Sequence, residues 1–412
     1  MCKTAKYLIW FAHEHVEFRL PELESVISLE SLSVNWLYKS TDSPYVILES
    51  NECDIRRIAE RSVMIKYIVE LWAFSNTEEQ LYEQLRVCKH CQQFQSNSER
   101  YSFKIVVDSF GKKMPFDEQI KKIERLSFLN FKGVIDLKNP DNLFYLIEYN
   151  GIDPNNIPEK PYALFFGRWI ADGQRKIIQD LNLKKRKFIS NTSLDPKLSL
   201  IMANIAKIKE GDLVLDPFVG SGSVLVAAAK FGAFVFGTDI DYLLMYGRSR
   251  PSRCGVSKRE PDETIFSNLQ QYSLESKYLD VIVADASLPL WRQNIKFDAI
   301  VTDPPYGIRE ASAKIGSERN YKIPPELCEG HIPAKIRYNF MDIIKDLLEF
   351  SASHLKLGGR LLYWVPVTKP VPTYDIDSCI THPCFKLISK SEQIFGKHYS
   401  RLLICVEKFK EL

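Results

Sequence analysis

Leu213-Val214-Leu215-Asp216-Pro217-Phe218-Val219-Gly220-Ser221-Gly222-Ser223 decides the fold class of the second half of the chain. A short apolar run reads as a strand, a glycine-bearing turn follows, and residues 223–231 read as a helix. Glycines at 220 and 222 let the backbone turn and come close to a ligand without a Cβ in the way. A dinucleotide fingerprint would carry a third glycine at 225, where Leu225 stands, which disfavours a nicotinamide cofactor. Taken alone, the turn also fits a bare strand–helix connection.

Working outward, residues 234–237, 281–284, 299–302 and 360–365 read as further strands. Between and before them, Leu198, Ile201, Met202, Ile205 and Ile208 recur at helical spacing. A longer helix is predicted over 334–357, from Ile336, Phe340, Ile343, Ile344, Leu347 and Leu348, with Gly358-Gly359 as its stop. Runs 387–395 and 401–408, joined by a turn containing Gly396, suggest an antiparallel hairpin at the sheet edge. Strands alternating with helices predict an α/β, Rossmann-like doubly wound sheet over residues 191–412.

In such a sheet, ligands are met at the carboxyl ends of the strands, so acids placed there matter. Asp239 follows one predicted strand, where a carboxylate can accept from both hydroxyls of a ribose diol. Asp241 reads equally as a helix cap. Asp285 follows the next strand and suits an adenine amino group, with a loop cap as the alternative. Val301-Thr302-Asp303-Pro304-Pro305-Tyr306-Gly307 ends a fourth strand. The amino group of a nucleobase is a weak nucleophile because its lone pair is delocalised into the ring. A carboxylate at 303 and a carbonyl of the proline pair would accept its hydrogens and stabilise developing positive charge. The prolines stiffen the turn, and Tyr306 offers an aromatic face for a base. A sulfonium methyl donor needs no acid–base activation, so the set points to S-adenosylmethionine-dependent methylation of an amino nitrogen, with alignment as the main demand. A plain surface turn is the reading that the upstream glycine turn and acids argue against.

The first 165 residues alternate strand candidates at 7–11, 45–48, 65–72, 103–107, 143–148 and 163–166 with helices at 54–61, 77–87 and 117–126. Thr77 and Gln80 have capping-box spacing. This is an α+β module without a catalytic cluster. Residues 166–190 mix glycine with the basic run Lys184-Lys185-Arg186-Lys187 and read as a linker. Arg248, Arg250 and Arg253 form a second basic cluster; either can neutralise phosphates or be a solvated face.

Length supports two or three domains, at 412 residues, and 45% apolar with 26% charged residues is a globular composition. No apolar run approaches the length of a membrane span, and the amino terminus reads as a strand, not a signal peptide, so a cytoplasmic location is expected. Nine scattered cysteines fit reduced thiols. Cys88-Lys89-His90-Cys91 has ligand spacing but no second pair to complete a zinc site, so no metal is assigned.

The chain resembles the catalytic subunits of eukaryotic tRNA guanosine-10 N2-methyltransferases. The resemblance rests on Phe166-Gly167-Arg168-Trp169-Ile170-Ala171-Asp172-Gly173, Asn191-Thr192-Ser193-Leu194-Asp195, Gly237-Thr238-Asp239-Ile240-Asp241 and Asp303-Pro304-Pro305-Tyr306-Gly307-Ile308-Arg309-Glu310. Arg61-Ser62-Val63-Met64-Ile65-Lys66 and Glu70-Leu71-Trp72 extend it to the amino-terminal half. It implies that residues 1–165 are a ferredoxin-like lead-in plus a THUMP module that grips tRNA. It also implies a heterodimer with a small zinc-containing activator protein. Ser221 stands where the family usually has Thr, and Asn191-Thr192 where relatives often have Pro-Thr. Asp303, Pro304, Pro305 and Tyr306 are then the catalytic set. Cofactor contacts are expected from Thr192, Asp216, Phe218, Gly220 and Gly222, and from Asp239, Ile240, Asp285 and Ala286. Residues 308–333 are expected to close over the base. Competing readings are an amino methyltransferase for ribosomal RNA guanine or for adenine, and a tRNA-binding protein without catalysis.

Overall fold

A computed structural model describes residues 4–153, 155–307, 312–317, 324, 326, 333–370, 372 and 374–412. The chain forms two compact units, one of residues 1–16 and 30–174, the other of residues 17–29 and 175–412.

In the first unit a seven-stranded sheet forms from β1 (Thr4–Phe11), β2 (Asn35–Tyr38), β3 (Tyr45–Asn51), β4 (Ile65–Ser75), β5 (Phe103–Phe110), β6 (Asn142–Tyr149) and β7 (Ala163–Asp172). Its order is β2-β3-β1-β4-β7-β6-β5, with β5 and β6 parallel and the other neighbours antiparallel. Trp10 anchors an aromatic layer against Tyr45 and Tyr67, stacked at 5.5 and 6.4 Å, and edge-on to Phe165 at 6.2 Å. Helices α2 (Glu52–Arg61), α3 (Glu78–Val87), α4 (Lys89–Asn97) and α5 (Phe116–Arg125) belong to this unit, and α6 (Arg175–Asp180) follows it in sequence. Thr77 caps α3 as expected, accepting from the Gln80 backbone N–H at 3.3 Å. The Gln80 side chain, however, receives the Ser75 hydroxyl, so the capping box is half formed.

The expected linker over 166–190 is occupied differently: residues 166–172 continue β7 in the middle of this sheet. The physical reason lies in the motif itself. A Cβ at Gly167 would sit 2.0 Å from the Glu70 carbonyl, so only glycine permits the β4–β7 approach there. Arg168 Nε donates to Glu70 at 3.0 Å and Nη2 to Glu52 at 2.8 Å. The Phe166–Gly173 stretch of the resemblance therefore does structural work.

The second unit begins early in the chain, with α1 (Arg19–Leu29). It packs on α7 (Pro196–Ile205), where Asn204 donates to Glu22 at 2.7 Å in the interior. Asp195 caps α7, accepting from Lys197 and Leu198, with Pro196 in the first turn. The sheet comprises β8 (Leu213–Asp216), β9 (Phe234–Asp239), β10 (Tyr278–Val283), β11 (Phe297–Thr302), β14 (Leu355–Thr368), β15 (Phe385–Ile394) and β16 (Tyr399–Lys408). Its order is β10-β9-β8-β11-β14-β16-β15, with β16 antiparallel to both its neighbours. A separate two-stranded ribbon pairs β12 (Ala313–Ile315) with β13 (Lys335–Arg337). Strand order reverses between β8 and β11, which opens a crevice at their carboxyl ends. Helix α8 (Ser223–Lys230) leaves the glycine turn, α9 (Tyr242–Met245) follows β9, and α10 (Ile265–Gln271) is capped by Thr264.

The long helix is shorter than its periodicity suggests. It is α11 (Phe340–His354), and residues 335–337 ahead of it are strand β13. Gly358-Gly359 does not end it; both lie within β14, where Gly358 has φ +77° and the pairing with β11 skips from Leu355 to Arg360. The helix ends at His354, with the Leu355 N–H bonded to the Ser351 carbonyl.

Candidate active site

Four acids stand at or just after four adjacent strand ends: Asp216 of β8, Asp239 of β9, Asp285 beyond β10 and Asp303 beyond β11. They share a cavity of about 760 Å³, a volume within the range of small-molecule sites.

The glycine turn is stapled to its neighbouring strands. Val219 N–H donates to the Thr238 carbonyl at 2.9 Å and the Thr238 hydroxyl to the Pro217 carbonyl at 3.1 Å. Asp216, 2% exposed, accepts from the Thr302 hydroxyl at 2.6 Å and the Phe218 N–H at 3.0 Å. Gly220, at φ +51°, donates to Asp239 Oδ2 at 2.9 Å, while Asp239 Oδ1 accepts from the Asp241 N–H at 2.9 Å. Asp241 itself caps α9 through bonds from Leu243 and Leu244. Asp285 is held by the Ser287 and Ile315 N–H groups at 2.9 and 2.6 Å.

Thr192, Phe218, Ile240 and Ala286 join Asp216, Gly220, Asp239 and Asp285 around this cavity, as do Asp303, Pro304, Pro305 and Tyr306. Gly222 stands apart. It is the N-cap of α8 at φ +78°, and a Cβ there would lie 2.7 Å from Ile265 Cγ2. Its smallness serves helix packing, not the cavity wall. The segment 308–333 lies mostly outside the described residues.

One partner escaped the sequence reading. Arg401 of β16 donates from Nη1 to Asp303 Oδ2 at 2.8 Å and from Nε to Gln393 at 2.8 Å. Its guanidinium lies 3.9 Å from the Trp364 ring centroid, and the residue is 8% exposed. The Tyr306 hydroxyl donates to Asp303 Oδ1, so both carboxylate oxygens are oriented. Pro305 O accepts from the Ser312 hydroxyl at 2.9 Å, which leaves the Pro304 carbonyl as the acceptor without a partner among the described residues.

Electrostatics at the site run against ionisation. Burial pushes the Asp216 carboxyl up to about 7, and the nearby Asp239 and Asp303 add to it despite bonds from Thr302 and Phe218. Burial raises Asp303 as well, opposed by Arg401 and Tyr306. Asp239 is raised for the same first reason. The Tyr306 phenol is pushed far up by burial and by Asp303, so it stays a donor. Among the described residues, six aspartates and two basic side chains line the cavity, so a cation entering it would favour the ionised form of the acids that burial raises.

A doubly wound sheet whose switch point carries this acid-lined cavity and an Asp-Pro-Pro-Tyr turn has the architecture of a Rossmann-like methyltransferase. Family profiles match the chain as a Tmrp11 THUMP N-terminal domain over residues 5–175 and as an RMKL-like methyltransferase domain over residues 184–249. The chain is 47% identical to the tRNA (guanine(10)-N(2))-methyltransferase TRMT11 of Bos taurus, covering 98% of this chain and 88% of that protein. Identity to the Homo sapiens protein of the same name is 46% over 100% of this chain and 89% of the relative. The Dictyostelium discoideum protein is 36% identical, over 98% and 82%. The chain belongs to the TRMT11 family of tRNA (guanine(10)-N(2))-methyltransferases.

Proposed function

We propose that this chain transfers a methyl group from S-adenosylmethionine to the exocyclic N2 of guanosine 10 in tRNA. The observation that carries this reading is one cavity holding the Asp303 turn beside three further strand-end acids; family membership supplies the substrate.

The residues fit the cofactor. A Cβ at Gly220 would meet nothing within 4 Å, so the turn borders open space. Asp239 takes one N–H on each oxygen, leaving a lone pair on each for the two ribose hydroxyls. Asp285 suits the adenine amino group, with Thr192, Asp216, Phe218, Ile240 and Ala286 completing the wall. When bound, the cofactor supplies an electrophilic methyl group on a sulfonium. The chain's own contribution is to the nucleophile. Asp303 and the Pro304 carbonyl accept the two amino hydrogens and draw the lone pair onto nitrogen. Tyr306 presents its ring to the base. Arg401 positions Asp303 and opposes the effect of burial on its carboxyl, favouring the ionised form. The proton shed after transfer passes to the Asp303 carboxylate, whose raised pKa suits a temporary acceptor.

The first unit is the tRNA-gripping module in this reading, and the reaction is cytoplasmic. No helix among the described residues is long and apolar enough to cross a membrane. A small zinc-containing activator is the expected heterodimer partner. Support for a protein partner comes from β10, an edge strand whose Leu279, Ile282 and Val283 are 39–49% exposed. Exposed apolar edges are templates for strand addition.

Incubation of the purified chain with tRNA, alone and with the activator, followed by nucleoside digestion and mass mapping, tests the reading. N2-methylguanosine at position 10 is expected. Methyl product confined to adenosine, or none in either arrangement, would overturn it.

A further inference from the structure

The two basic clusters, distant in sequence, lie side by side in the fold. Arg253 Nη1 donates to the Lys184 carbonyl at 3.0 Å, across 69 positions, and its Nη2 donates to the Arg186 carbonyl. Arg259 donates to the carbonyls of Ile189, Ser249 and Arg250 at 3.0–3.1 Å, with its guanidinium 4.9 Å from the Phe188 ring. The Gln271 side chain bonds the Lys187 N–H and the Lys185 carbonyl at 2.8 and 2.7 Å. These bonds fuse segments 184–190 and 246–263 into one ledge. Ser190, at its end, opens the wall of the cavity.

The ledge separates its cations by task. Arg186 is fully buried and bonded to the Ser223 hydroxyl and the Leu181 carbonyl. Arg253 is consumed by backbone carbonyls, Arg259 by backbone carbonyls and an ion pair with Glu263 at 2.8 Å, and Lys187 is paired with Asp262. Lys184, Lys185, Arg250 and Lys258 are exposed. The two segments hold nine basic residues against three acids, a surplus of six, although the whole chain totals only +3. Tyr246, 60% exposed with Arg248 at 6.0 Å from its ring, adds a stacking face beside this charge.

We infer that this ledge binds the RNA phosphate backbone flanking the methylated base, with Lys184, Lys185, Arg250 and Lys258 as phosphate contacts. The inference rests on the tRNA reading above and adds the surface that reading lacks. Mobile ammonium and guanidinium groups on a rigid backbone neutralise phosphates without reading sequence. Each contact adds about 0.7–0.9 to the slope of log affinity against log salt.

The test uses the full chain, with its activator, and the quadruple variant K184Q/K185Q/R250Q/K258Q. Binding of tRNA is measured over a salt series, alongside methyl transfer and S-adenosylmethionine affinity. The variant's salt slope is expected to fall by about three, with KM for tRNA rising roughly 10- to 100-fold at about 0.15 M salt. The kcat should stay within about twofold, and unchanged cofactor affinity shows the fold intact. A variant with the wild-type slope and KM would overturn the ledge. Failure of the wild type to form N2-methylguanosine sinks the functional reading instead, and the salt series still decides whether the ledge binds RNA.

Discussion

The ion pairs of the first unit and the strand-end acids of the second treat enclosed charge in opposite ways. In the first, Arg168 bridges Glu52 and Glu70, and Lys122 bridges Glu78 and Glu148 at 2.5 and 2.6 Å. Burial pushes Glu52 and Glu78 upward, but their arginine and lysine partners more than offset it and hold both below the ordinary carboxylate range. In the second sheet, Asp216, Asp239 and Asp303 are all raised, burial leading in each. The contrast is not between sheet types. Glu407, in the same sheet as those acids, is brought down to about 2 against burial by bonds from Lys386 and Arg360. Paired charges that offset burial hold elements together, whereas acids at open strand ends whose bonds do not offset it are poised for a ligand.

The comparison breaks most visibly at Asp303. Asp303→Ala is expected to lower kcat about 10³-fold, the scale of losing a preorganised transition-state contact. Binding of tRNA and of S-adenosylmethionine should survive. A variant that keeps turnover would place the acceptor elsewhere. Lys122→Met probes the other side. It strands the buried Glu148 carboxylate and should cost about 3 kcal/mol of unfolding free energy. Turnover per folded molecule should not change, so a selective loss of kcat would mean that the first unit takes part in the chemistry.

Arg401 sits between the two patterns, a paired charge inside the site. Arg401→Gln removes the cation that favours ionised Asp303, so the acid limb of the rate profile moves to higher pH. At neutral pH kcat should fall about 10- to 50-fold with cofactor affinity preserved. Arg401→Lys, which keeps the charge but loses the fork that spans Asp303 and Gln393, should restore the limb more than the rate. An unshifted limb in the Gln variant would reduce Arg401 to a packing residue on Trp364.

Arg401 also marks where the sequence stopped being legible. The acids at 216, 239, 285 and 303 were readable because each follows its own short strand, a local signal. Arg401 lies 98 positions from Asp303, and only the β14–β16 register brings it there, opposite Pro366. The available clue was a lone arginine ahead of Leu402-Leu403-Ile404-Cys405-Val406, since a cation heading a core strand needs a partner. Helix α1 escaped for the same reason: its place against α7 depends on contacts across 182 positions, such as Glu22 with Asn204. The packing of Gly222 against Ile265 was not legible either, because a glycine's freedom looks the same in sequence whether it faces a ligand or an isoleucine.

The smallest effect tests the comparison in thermodynamic terms. Asp216 titrates near 7 in the folded protein, against roughly 3.9 in an unfolded chain. Between those values the unfolded state is ionised while the folded state keeps its proton. Native stability therefore falls as pH rises through that window and levels off above it. Asn at 216 has no proton to lose, and its Oδ1 can still accept from Thr302 and Phe218. Asp216→Asn should thus leave ligand-free protein little changed at pH 4 and stabilise it at pH 8 by about 1 kcal/mol, a fraction of the roughly 4 kcal/mol that the full shift would give if the site neither relaxed nor admitted water, read by thermal melts at both values. A gain of equal size at both pH values would assign the effect to packing instead of charge. A loss at pH 8 would mean that Asp216 is a stabilising carboxylate like Glu52, and the division between paired and poised acids would fail at its most buried member.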